Sequence, residues 1–78
     1  MHVLPDDDSW LIDERRAIGN RIRAERERRN LTQEALILAA GIDRVTLWRV
    51  ETGEESKVST LLRIARVLGV PLAELLGE

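Results

Sequence analysis

The chain has 78 residues, with 14 acidic and 12 basic side chains, one histidine, no cysteine and a net charge of -2 at neutral pH. That length allows one domain, near the size at which a single core supplies only a few kcal/mol of net stability, so a dimer interface would help. Without cysteine, and with His2 alone, disulfides, thiolate metal sites and histidine-based triads have no material, and no nucleophile with its base, metal cluster or phosphate-binding glycine loop can be assembled into an enzyme. No cofactor is expected. Met1 to Asp8 lacks the basic start and apolar core of a signal peptide, and the run from Ala35 to Ile42 is too short to span a bilayer, so a soluble, cytoplasmic protein is expected.

Residues 1 to 9 read as a short acidic arm with no hydrophobic periodicity, and residues 10 to 78 as the folded domain. Charge divides unevenly between the ends. Residues 1 to 14 carry Asp6, Asp7, Asp8, Asp13 and Glu14 and no basic side chain, whereas residues 15 to 78 hold all 12 basic residues against nine acidic ones. A basic body beside an acidic tail suits a domain that binds a polyanion or a protein partner, and equally a tail that is simply solvated.

Asp8 or Ser9 is placed to cap a first helix, in which Leu11, Ile18 and Ile22 share a stripe with Arg15 and charged residues fill the rest through Arg29. Asn30 tolerates the left-handed backbone that ends helices. Thr32 then caps Gln33 to Ala40, Gly41 stops it, Asp43 caps Arg44 to about Glu51, and Thr52-Gly53 closes that helix. After the polar stretch Glu54 to Lys57, the spacing of Val58, Leu61, Leu62, Ile64, Ala65 and Leu68 predicts a fourth amphipathic helix ending at Gly69, and Pro71 opens a fifth that runs through Leu76. No strand pattern occurs. The fold class expected is all-α.

Two short helices joined by a three- or four-residue turn containing glycine make a helix-turn-helix, whose second helix enters the major groove. Leu47 and Val50 must then face inward to hold that helix, leaving Arg44, Val45, Trp48 and Arg49 outward. Arginine bonds guanine O6 and N7 bidentately, and valine meets a thymine methyl. Trp48 has two readings, a DNA contact or a packing or partner contact; Val45 has a base role or is ordinary surface.

The segments "IGNRIRAERERRNLTQEAL", "AAGIDRVTLWRVETG" and "STLLRIARVLGVPLAELL" together resemble the Cro/C1-type helix-turn-helix family, also called the Xre family, over about Ile18 to Leu76. The resemblance implies a compact five-helix, lambda-repressor-like domain that binds operator DNA as a homodimer and regulates transcription, with repression the expected direction. It implies phosphate contacts at Thr32 and Gln33, base reading at Arg44, Val45 and Arg49 with Trp48 beside them, and an ion pair between Arg26 and Glu51 joining the first and third helices. Ser56 and Lys57, near the start of the fourth helix, are candidates for a second phosphate contact, or plain surface. Ile37 stands where the family favours a small residue, Leu38 where it favours a polar one, and Glu54 and Glu55 where it is often basic. Those glutamates weaken DNA affinity or point away.

The usual dimer surface of such repressors places Pro71, Leu72, Leu75 and Leu76 at the interface, in competition with the cluster Trp10, Leu11 and Ile12, which alternatively extends the first helix over the core. The other reading of the domain is a protein-interaction module, such as the antitoxin of a toxin-antitoxin pair, acting through Leu38, Trp48 or the acidic arm. Asp6 to Asp8 are also expected to mimic phosphate and lower nonspecific binding.

Overall fold

The computed structural model describes residues 7 to 78; the part of the acidic arm from Met1 to Asp6 lies outside the described residues. Five helices follow in order: α1 (Ser9–Arg28), α2 (Gln33–Ala40), α3 (Arg44–Glu51), α4 (Val58–Leu68) and α5 (Leu72–Leu75). The core is built from Ile22 of α1, Leu36 and Ala40 of α2, Leu47 and Val50 of α3, Ile64, Ala65 and Leu68 of α4, and Leu75 of α5. One inward side of every helix therefore meets the others, the condition for holding short helices that would not persist alone. Ile37 is half-buried against this core, so the larger side chain is accommodated with the helix pair intact.

Local chemistry sets the corner between α2 and α3. Thr32 Oγ1 accepts from the Ala35 backbone N–H at 3.0 Å, and Asp43 Oδ1 accepts from that of Thr46 at 2.7 Å, so both helices start on side-chain caps. Gly41 takes the left-handed conformation, φ 69°, and its N–H and that of Ile42 both return to the Ile37 carbonyl. A residue with a Cβ is strained there, and only Gly41, Ile42 and Asp43 separate the two helices.

Three expectations need correction. The first concerns the start of α1, where neither Asp8 nor Ser9 supplies a side-chain cap: Asp7 Oδ1 instead accepts from the Ser9 N–H at 3.0 Å and hydroxyl at 2.7 Å, and Ser9 already belongs to the helix. Second, Val58 and Leu62 of α4 are exposed, because Leu61, Ile64, Ala65 and Leu68 fill the inward arc and the pair four residues apart falls outside it. Third, the last helix is shorter than predicted, since Pro71 has an extended ψ of 150° and precedes it rather than entering it. Leu75 is fully buried in the protomer. It cannot belong to a dimer surface in this conformation, whereas Pro71 and Leu76 are exposed and Leu72 is half-buried.

Candidate nucleic-acid interface

The site begins with what holds α3 from behind. Gly19, in the middle of α1, lies so close to the end of α3 that an added Cβ would come within 2.5 Å of the Val50 carbonyl oxygen and 2.9 Å of that of Glu51. Around this contact α1 donates to the carboxy-terminal end of α3 and its turn: Arg15 Nε to the Gly53 carbonyl at 3.0 Å and Arg23 Nη2 to the Glu51 carbonyl at 2.9 Å. Cations at a helix carboxy terminus meet unsatisfied carbonyls and the negative end of the dipole. Arg21 does the same for α5, giving a 3.1 Å bond to the Leu75 carbonyl.

Arg26 and Glu51 are 9% and 4% exposed, and their side chains form a two-pronged pair, Nε to Oε2 at 2.9 Å and Nη2 to Oε1 at 3.3 Å. Arg26 Nη1 also donates to the Leu31 carbonyl at 3.0 Å, and the Gln33 side-chain amide donates to Glu51 Oε1 at 3.3 Å. One carboxylate thus joins α1, α2 and α3. Both charges are satisfied, which is the condition for keeping an ion pair away from water.

The opposite side of α3 is open. Arg44, Val45, Trp48 and Arg49 are all exposed, with Val45 and Trp48 each more than half accessible. The Arg44 guanidinium is paired with Glu34 of α2. Arg49 lines a cleft of about 210 Å³ together with Thr46, Ser56, Lys57, Thr60 and Glu55. Lys57 precedes α4 in an extended conformation, and no side chain caps that helix; of its first amides, that of Thr60 returns to the Lys57 carbonyl at 3.1 Å. Thr32 and Gln33 are exposed at the start of α2, and the Thr32 hydroxyl, while accepting from Ala35, keeps its own hydrogen to donate.

Asp43 sits at the amino-terminal end of this helix, and the bond from the Thr46 backbone N–H holds its carboxyl below the usual aspartate range. Glu55 does not point away from the cleft, since it forms part of its wall, whereas Ser56 is half-buried and bonded to the Glu54 carbonyl at 3.3 Å. Leu38 is 79% exposed.

Residues 17 to 76 match the model of a family described as a helix-turn-helix domain. The chain belongs to the helix-turn-helix family. Among solved structures, the chain is similar to the restriction-modification controller protein C.AhdI from Aeromonas hydrophila, at 30% identity and a TM-score of 0.76, with 81% of this chain and 97% of that one covered. No curated protein sequence matches. The helix-turn-helix domain is therefore a DNA-binding one of the transcription-regulator type, not an enzyme, and its five-helix architecture is lambda-repressor-like. None of the described helices is long and apolar enough to cross a membrane.

The roles of Gly19, Arg15 and Arg23 do not show in the helix-turn-helix pattern of the sequence. Glycine in the interior of an otherwise regular helix was the available signal for Gly19, because it weakens the helix unless another backbone comes close. For Arg15 the available signal was its place on the apolar stripe of α1, and for Arg23 no local signal exists; their acceptors are 38 and 28 residues away.

Proposed function

We propose that this domain is a sequence-specific regulator, acting as a repressor, that binds a near-palindromic operator as a homodimer, with α3 in the major groove. Arg49 and Arg44 read base edges, Val45 and Trp48 make apolar contacts beside them, and Thr32, Gln33, Ser56 and Lys57 grip phosphates on either side. The observation that carries this reading is the division of α3 into an anchored inner side and an open outer one, with Arg49 sharing a cleft with Lys57.

The bond from Gln33 to Glu51 supports the phosphate role by orienting that side chain from within the scaffold. Arg44 must exchange Glu34 for a base, so its net contribution is smaller than that of Arg49. Glu55 on the cleft wall opposes a phosphate, which makes the affinity depend on specific contacts more than on bulk charge. Pro71, Leu72 and Leu76 are the proposed dimer surface, setting two recognition helices about 34 Å apart, one turn of DNA. The similarity to a restriction-modification controller supports a regulatory role.

The test is selection of bound duplexes from a random pool, followed by binding of variants to the selected site. Recovery of a two-fold-related site is expected; Arg49→Ala should lose ~1 to 3 kcal/mol of discrimination at one base pair, and Lys57→Ala should lower affinity evenly over all sequences with a shallower salt dependence. Failure to enrich any sequence at low salt would turn the reading to its rival, a protein-interaction module such as an antitoxin. The exposed Leu38 is the observation that favours that rival.

A further inference from the structure

Two surfaces outside the DNA-reading face complement each other but cannot meet within one protomer. The first is the beginning of α1, ahead of residue 17 where the family match starts. Trp10, Asp13 and Glu14 stand three and four residues apart and so share one side of the helix. Trp10 is 60% exposed, and neither Asp13 nor Glu14 forms an ion pair among the described residues. The second is a shallow groove of about 790 Å³ between α2 and α4, with Ala39, Leu62 and Val67 among its apolar walls and Arg63 and Arg66 on its rim. Leu62 is 50% exposed, and neither arginine forms an ion pair among the described residues.

An indole one turn ahead of two carboxylates thus has, elsewhere on the same chain, an apolar trough with two guanidinium groups along its α4 edge. Arg15, about one turn beyond Trp10, is bonded to Gly53, and Arg16 packs on the same glycine, so the start of α1 is fixed at the end of α3. Helical residues anchored there cannot swing back onto their own α2–α4 groove. Only a second molecule brings the two together.

We propose that the start of α1 of one copy docks in the α2–α4 groove of another, Trp10 entering beside Leu62 while Asp13 and Glu14 pair with Arg63 and Arg66. This contact is separate from the proposed α5 dimer surface. It links one operator-bound unit to the next, and the two surfaces need no DNA to associate.

Sedimentation equilibrium of the full chain without DNA, at low salt, is the test. Association should weaken about tenfold or more in Trp10→Ala, the size of effect expected of a central aromatic anchor. Charge reversal in Asp13→Arg/Glu14→Arg, or in Arg63→Glu/Arg66→Glu, should do the same, and mixing the two reversed chains should restore association. Circular dichroism checks that each variant stays helical, as expected for exposed positions.

Because the chain has no cysteine, a second readout is available: oxidising a mixture of Trp10→Cys and Leu62→Cys chains should yield a mixed disulfide dimer well above the statistical share. Association unaltered by Trp10→Ala would overturn the proposal. So would reversed chains that fail to rescue one another, association that the groove reversal weakens but the α1 reversal leaves unchanged, or a merely statistical yield of the mixed dimer. Operator selection probes other residues, so either reading can fail while the other stands.

Discussion

The two sides of α3 use the same residue type for opposite ends. On the inner side Arg15, Arg23 and Arg26 of α1 are committed to carbonyls of the helix end and to the Glu51 carboxylate; on the outer side Arg44 and Arg49 stand in the open. A count of arginines therefore says little about where DNA binds. What distinguishes a reader from a brace is whether its guanidinium is already bonded to the end of α3 or to the Glu51 carboxylate, and six arginines of α1 would suggest a basic DNA-binding stripe that the structure largely assigns to scaffolding.

The difference can be broken most severely at Glu51. Glu51→Ala leaves Arg26 buried opposite no countercharge, with an expected loss of about 3 to 5 kcal/mol in urea unfolding, enough to unfold a domain of this size. Wild-type stability in that variant would show the seam to be dispensable. Gly19→Ala comes next, because its methyl group must displace the backbone of α3; a cost of about 1 to 3 kcal/mol is expected, offset only in part by roughly 1 kcal/mol of improved helix propensity. Operator affinity should fall with it, since α3 shifts.

A matched pair sharpens the comparison further. Arg15→Ala should cost about 1 kcal/mol of stability through the lost bond to Gly53, while Arg49→Ala changes stability by no more than ~0.5 kcal/mol. Equal effects in denaturant curves would erase the distinction between brace and reader.

The smallest effect concerns Asp43. Its folded-state carboxyl titrates below the ordinary aspartate value of 3.8, so the contribution of the cap is fully present above that value and is lost as pH falls through the depressed one. Melting temperature followed from about pH 5 to about pH 2.5 should show this acid-side loss, and Asp43→Asn, which caps without ionising, should flatten it.

Much of this arrangement was legible because it is local. Thr32, Gly41, Asp43 and Gly53 each announce a helix end through their own backbone or side-chain chemistry, and the spacing of Leu47 and Val50 fixes which way α3 faces. The Arg26–Glu51 contact came from resemblance, not from any pattern in the residues themselves. Long-range effects escaped. Leu75 enters the candidate partner surface through the family resemblance, which does not say which of several leucines a short terminal helix turns inward, and the burial of Leu75 depends on α1 and α4 lying across it. Val58 and Leu62 escaped for the converse reason: α4 carries more apolar positions than its inward arc has room for.

The Glu51 carboxylate, gathering three helices at the root of α3, has one further consequence. Because the buttress shares no hydrogen bond with Val45, Trp48 or Arg49, exchanges at those three positions should combine nearly independently of folding. Such a frame is suited to retargeting, in which new operator preferences are written by swapping a few surface side chains while the chassis stays the same.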